Sequence, residues 1–166
     1  KAPMAASKDM YLDQKGEVIE GKSTGTALAS GIPGTIAGIF EVHKKYGSLP
    51  MNEIAEPVIA LEEKGVIITK FQAESLNNNR EFFTKINGRN SLFSKVYKEN
   101  DTIKYTALAA TLKRIAKNGR DEFYKGETAQ KLVDFLAKKG GIATMEDLNS
   151  YKAKWRTPIT FQYKNL

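Results

Sequence analysis

A chain of 166 residues fits one domain with a real core, and 41% hydrophobic beside 27% charged residues is an ordinary globular composition. Zero Cys excludes disulfides, thiolate metal sites and a cysteine nucleophile, and a single His excludes a multi-histidine metal centre. The 26 basic against 19 acidic residues give +7, but only five of the basic residues are Arg and the lysines are interspersed with carboxylates. That charge reads as a solvated lysine-rich surface with no nucleic-acid partner. No apolar run approaches the roughly 20 residues that span a bilayer, so no transmembrane segment is expected.

Met10 to Ile19 reads as a hairpin turning at Gly16. Thr26 to Ile32 reads as an extended run leading through Pro33-Gly34 into a helix whose face is Ile36, Ile39, Phe40 and His43, stopped at Gly47. Gly31 and Gly34 are expected to supply backbone freedom at that corner. Met51, Ile54, Ala55, Val58 and Leu61 repeat the helical spacing as far as Gly65; Pro57 implies either a kink or a helix start. Lys70 to Val96 reads as short helices and loops. Leu108, Thr111, Leu112 and Ile115 form a helical face closed by Asn118-Gly119, and Ala129, Leu132, Val133 and Leu136 form another closed by Gly140-Gly141. Thr144 and Asp147 stand three apart as a helix-start capping pair. Ile159, Phe161 and Tyr163 alternate with polar residues as one face of a strand. Phe40, Leu112, Ile115, Leu132, Val133 and Leu136 are the expected core.

Gly16 to Ser23 satisfies the phosphate-loop pattern G-x-x-x-x-G-K-[ST], but its context argues against nucleotide binding. No buried strand precedes it, Glu17 and Glu20 would oppose phosphate, and Thr24-Gly25-Thr26 is a poor first helical turn. Other candidate chemistry is thin. His43 reads as a packed or helix-end histidine, Asp121 and Glu122 as solvated neighbours, Arg114 and Arg120 as surface ion-pairing residues, and Trp155 as core.

The order of segments says more than any one residue. Ala2-Pro3-Met4-Ala5-Ala6, Asp9 to Asp13, Gly21-Lys22-Ser23 and Leu28 to Gly38 come in that order, followed by Lys45-Tyr46-Gly47 and Leu108 to Leu112. Phe123 to Gly126, Gly140-Gly141-Ile142, Glu146-Asp147-Leu148 and Arg156 to Ile159 continue it. This collinear set closely resembles the large subunit of the γ-glutamyltranspeptidases across essentially the whole chain. The resemblance implies a mostly helical α+β fragment of an N-terminal-nucleophile hydrolase (αββα) fold, with strands mainly near the two ends and residues 1–166 forming a single domain of that subunit.

It also implies a reaction: transfer or hydrolysis of the γ-glutamyl group of glutathione or a related amide by an N-terminal Thr of the small subunit, generated when the precursor cuts itself. The family's Thr-Thr-His-type segment has no counterpart here, and the arginine that holds the substrate α-carboxylate would lie just before Lys1. No residue of this sequence is therefore assigned a catalytic, substrate-binding or metal-ligating role, and no cofactor is implied. The expected partners are the rest of the large subunit and the small catalytic subunit, and the expected location is the periplasm or cell surface. The chain reads as an interior piece, with both ends cut from something longer. Three alternatives remain at this point: a stand-alone basic helical binding domain, a P-loop enzyme, and a family member acting on poly-γ-glutamate.

Overall fold

The structure, a computed structural model, describes residues 1–164, so Asn165 and Leu166 lie outside the described residues. Its helices are α1 (Thr35–Tyr46), α2 (Met51–Lys64), α3 (Lys70–Asn78), α4 (Arg80–Asn87), α5 (Thr106–Asn118), α6 (Arg120–Tyr124), α7 (Glu127–Lys138) and α8 (Met145–Asn149). The two short strands are β1 (Val66–Ile67) and β2 (Thr102–Ile103). The chain is 51% helical, in keeping with a mostly helical α+β fragment. It divides into two compact units, one formed by residues 1–51 together with the described residues from Arg114 onward, the other by residues 52–113.

The first unit begins with the expected hairpin. Asp13 Oδ1 accepts from the Lys15 and Glu17 N–H groups at 2.8 and 2.9 Å, Gly16 takes φ +85°, and Leu12 bridges Val18 antiparallel. The expected extended run from Thr26 is instead a 3-10 turn at Ala27–Ala29, because Ser30 N–H finds Ala27 O at 3.2 Å before the chain can straighten. Ser30 is extended, and Ile32 is fixed by its N–H to Lys1 O at 2.8 Å.

The corner into α1 forms as expected, for a different reason than expected. Gly34 has φ −112°, a value open to any residue, so conformational freedom is not what requires glycine. Space requires it: a Cβ there would lie 2.2 Å from the Tyr151 hydroxyl oxygen. Gly34 has no side chain to cap the helix, and Tyr124 does so from α6. Its hydroxyl accepts from Ala37 N–H at 3.1 Å and donates to Pro33 O at 2.8 Å.

Tyr124, fully buried, is the centre of the first core, with Ile32, Ala37, Ala129, Ala143 and Leu148. Its ring stacks on Tyr151 at 5.7 Å. The expected core is thus shifted toward small residues. Phe40, Leu112, Leu132, Val133 and Leu136 are only half-buried, Ile115 alone of that set is buried, and Ile39 is 47% exposed. Alanines let helices approach closely, and the large side chains then fill the periphery.

The second unit has its own core of Ile68, Ala73, Tyr97 and Ile103, with Leu76, Leu92 and Tyr105 packed on it. α2 neither starts at Pro57 nor is broken by it; it runs through, with the Glu53 carbonyl deprived of its usual i+4 donor. At Gly65 φ is +103°, and a Cβ would meet Thr102 Cγ2 at 2.4 Å, so the turn from α2 into β1 needs glycine twice over. β1 then pairs antiparallel with β2, Val66 opposite Ile103 and Ile67 opposite Thr102. The sheet therefore sits mid-chain, while the N-terminal end contributes an isolated bridge. Asn77 clasps Tyr97 by accepting from its N–H at 3.0 Å and donating to its C=O at 2.8 Å. Burial raises the Tyr97 phenol above its ordinary range.

The expected strand around Ile159, Phe161 and Tyr163 is absent from the described residues. Residues 151–163 have no regular structure, and those three side chains are 97%, 86% and 64% exposed. Alternation fixes which face would be apolar, but a strand also needs a neighbour for its N–H and C=O groups.

Candidate functional site

A partly buried polar cluster lies on α5, α6 and the start of α7. Glu122, 7% exposed, accepts through Oε1 from Arg114 Nε at 3.2 Å and from Thr128 N–H and Oγ1 at 3.1 and 2.8 Å. Its Oε2 accepts from Asn118 Nδ2 at 3.4 Å. Burial works against the charge, but the hydrogen bonds from Thr128, Asn118 and Arg114 outweigh it and hold the carboxyl below its usual range. The expectation of a solvated Glu122 is thus corrected, whereas neighbouring Asp121 is exposed and pairs with Lys125 and Arg120. Spacing gave little warning: Arg114 and Asn118 stand four apart on α5, but Glu122 follows the break at Gly119 (φ +75°) and is brought back to them by the turn into α6.

Asp147 is the second buried carboxylate, at 0% exposure. It accepts from Met4 N–H at 2.7 Å and from Thr144 N–H and Oγ1 at 3.0 and 2.8 Å, completing the expected capping box. Burial opposes its charge too, and the donors from Met4 and Thr144 prevail, so its carboxyl lies below the usual range. Both carboxylates have their oxygens engaged by fixed donors. They hold elements together: Glu122 joins α5, α6 and the start of α7, and Asp147 joins the Met4 segment to α8.

The remaining sequence candidates are dispersed. Gly16 and Gly21 take φ +85° and +73° in successive turns, and no α-helix begins until Thr35, so the phosphate-loop pattern has no α-helix N-terminus directly behind it. His43 is half-buried, with Nε2 2.7 Å from Leu49 O and its ring against Gly47, the packed helix-end role expected of it. Among the described residues no hydrogen bond joins Ser23, Ser30 and His43. Arg114 is ion-paired as expected, but in the partly buried network above; Arg120 lies over the Tyr124 ring at 4.3 Å and donates to Tyr151 O.

Trp155, expected in the core, is 54% exposed. It donates to Glu41 Oε2 at 3.3 Å beneath Lys45 Nζ, 4.5 Å from its ring. Among the described residues no three His, Asp or Glu side chains converge as metal ligands, and no helix is long and apolar enough to cross a membrane. A cleft of about 650 Å³ is lined by Lys1, Ser150, Tyr151, Lys152, Lys154 and Arg156. Its cations can attract a carboxylate, but Ser150 Oγ donates to Asp147 O at 3.3 Å and is not paired with a base.

Placed beside solved structures, the chain matches Helicobacter pylori γ-glutamyltranspeptidase with a TM-score of 0.95 at 39% identity, covering 100% of this chain and 49% of that one. It is also similar to the Bacillus anthracis transpeptidase CapD, with a TM-score of 0.71 at 32% identity over 82% of this chain and 47% of the other. The fold is that of part of an N-terminal-nucleophile hydrolase. The glutathione hydrolase proenzyme of Pseudomonas aeruginosa is 40% identical over 163 residues, which are 98% of this chain and 29% of the relative. With the γ-glutamyltranspeptidase family model matching residues 1–166 throughout, the chain belongs to that family. It spans 29% of the length of the curated bacterial relatives from Pseudomonas aeruginosa and Escherichia coli.

Proposed function

We propose that this chain is a scaffold portion of the large subunit of an enzyme that transfers or hydrolyses the γ-glutamyl group of glutathione and related amides. The nucleophile is an N-terminal Thr outside this chain. Its hydroxyl attacks the γ-carbonyl, its own α-amino group takes the proton, and main-chain N–H groups stabilise the oxyanion. The observation that carries the reading is the family match over residues 1–166 combined with a sequence in which no Thr-Thr-His segment occurs. What the chain contributes is a wall. α1, α6, α7 and α8 pack around Tyr124, and Asp147 fixes the Lys1–Met4 segment against α8.

The partners in this reading are the rest of the large subunit and the small catalytic subunit. Its location is the periplasm or cell surface, supported by the habit of bacterial family members and consistent with a chain that has no Cys. Cell fractionation of the producing organism tests the location. The test of function is to incubate the purified chain with a chromogenic γ-glutamyl anilide, alone and then mixed with a separately expressed remainder of the enzyme. No turnover is expected from the chain alone. Activity that persists in the chain alone through repurification would falsify the scaffold reading and return attention to Ser23, Ser30 and His43.

A further inference from the structure

The second unit carries a cleft of about 750 Å³ that the γ-glutamyl reading leaves without a role. Arg80, Glu81, Thr84 and Lys85 of α4 form one wall, and Arg89 and Ser94 of the following segment form the other. That second wall is tethered. Gly88 takes φ +84°, which lets the chain double back after α4, and its carbonyl accepts from Ser91 N–H at 3.2 Å and from the buried Ser94 Oγ at 2.9 Å. Phe83 packs on Phe93 with centroids 5.6 Å apart, joining the two walls beneath the cleft.

The hydroxyls spend their protons on the scaffold: Thr84 Oγ1 donates to Arg80 O at 2.7 Å, and Ser94 to Gly88 as above. Recognition therefore falls to the charged groups. Among the described residues Arg80, Lys85 and Arg89 have no ion-pair partner, although Glu81 lines the same cleft; Arg114 and Arg120 of the first unit both have one. Arg80 also opens α4, where the helix's partial positive charge disfavours a cation. Three like charges around one concavity repel one another, and an anion seated among them relieves that repulsion. Three cations less one carboxylate leave a net charge of +2, the complement of a dianion.

We propose that this cleft binds a small dianionic oxyanion, with Arg80 and Arg89 as forked donors and Lys85 as a point charge. A phosphate ester and a dicarboxylate present the same chemistry here. The proposal is independent of the γ-glutamyl reading, and its test involves no turnover.

The full chain, labelled with ¹⁵N, is titrated at low ionic strength with inorganic phosphate and, separately, with glutarate, following backbone amide shifts. The comparison set is the double variant R80Q/R89Q, the variant R89K, and K138Q, an exposed position at the end of α7 in the first unit, as a remote control for loss of positive charge. Saturable shifts confined to residues 80–94 are expected. The double variant should weaken them about tenfold or more, R89K by less, and K138Q hardly at all, since the contacts are charge-assisted and local. Tighter phosphate binding assigns a phosphate ester, tighter glutarate a dicarboxylate, and equal affinity a general dianion site. Unchanged amide patterns outside residues 80–94 show that each variant is folded. Failure to saturate with both probes, shifts spread over the basic surface, or equal weakening by K138Q and R80Q/R89Q overturns the proposal.

Discussion

At the corner into α1, a tyrosine 91 positions after Pro33 packs against Gly34's neighbourhood and satisfies both the Pro33 carbonyl and the Ala37 N–H. In the segment from Lys152 to Tyr163, the apolar side chains alternate as regularly as in a strand, yet Ile159 and Phe161 stand 97% and 86% exposed. The corner finds partners within the chain for the Pro33 carbonyl and the Ala37 N–H. The terminal segment has apolar residues on one face and, among the described residues, no strand beside it. Between its ends a helix meets its backbone hydrogen bonds locally, so beyond the capped first turn α1 needs a neighbour only for its side chains. A strand needs a neighbour for its backbone as well, which makes alternation a weaker promise than helical periodicity.

Breaking the corner should have the largest effect. Tyr124→Ala removes a fully buried ring that stacks on Tyr151 and leaves Ala37 N–H and Pro33 O without their partner. A loss of about 3–5 kcal/mol is expected from the cavity, with the unmet polar groups adding to it. Tyr124→Phe separates the two contributions, because it keeps the ring and should cost about 1–3 kcal/mol. Denaturant unfolding of the chain measures both, and equal midpoints for Tyr124→Phe and the unmodified chain would show that the hydroxyl does not cap α1.

Gly34→Ala tests whether space or backbone freedom requires the glycine. With φ at −112° an Ala is conformationally acceptable, so the cost arises from a Cβ 2.2 Å from the Tyr151 hydroxyl. A loss of about 1–3 kcal/mol is expected from overpacking. The double variant Gly34→Ala with Tyr151→Phe, which removes the clashing oxygen, should recover part of it. If the double variant is no better than Gly34→Ala alone, steric conflict with Tyr151 is not the reason for the glycine.

Much of the local architecture was legible because its signals are local. The Thr144–Asp147 capping box, the turn at Gly16 and the helix stops at Gly47, Gly119 and Gly140 each involve residues within one or two turns of one another. The core was legible only in outline. Hydrophobic pattern favours large residues such as Leu132 and Phe40, while close helix packing placed Ala37 and Ala129 at the centre. Tyr124 was missed because its partners, Pro33 and Ala37, are brought to it by the fold alone. Trp155 was misjudged for a related reason: an indole can be held at the surface by Glu41 and Lys45, and composition does not distinguish that from burial. Family membership was legible from the order of motifs, which runs along the whole chain and does not depend on any one residue.

The buried carboxylates predict a smaller, pH-dependent effect. The Glu122 and Asp147 carboxyls lie below their ordinary values of 4.5 and 3.8, so the unfolded chain takes up their protons first. Their contribution to stability is therefore complete at neutral pH and is lost as pH falls below the ordinary values and through the lowered ones of the folded state. Unfolding midpoints measured from pH 7 down to pH 3 should decline most steeply below about pH 4.5. Glu122→Gln should flatten that decline while lowering the midpoint at pH 7. An unchanged slope would mean that Glu122 titrates alike in the folded and unfolded chains.

The smallest effect is expected in the terminal segment, and its smallness is informative. Ile159→Ser and Phe161→Ser alter side chains that are 97% and 86% exposed, so each should change the stability of the chain by no more than about 0.5 kcal/mol. Backbone amides from residues 159–163 should likewise exchange with solvent about as fast as in an unfolded peptide, because no ladder protects them. The comparison sharpens when the same variants are mixed with the separately expressed remainder of the enzyme. If that remainder supplies a neighbouring strand, the apolar face becomes buried. Both substitutions should then weaken association, by about 1–3 kcal/mol for each large side chain that loses its burial, and the amides should become protected in the complex. A stability loss of several kcal/mol in the chain alone would show that the segment already packs on its own unit. Unaltered association and exchange in the mixture would show instead that strand-like alternation in this segment has no partner in the enzyme either.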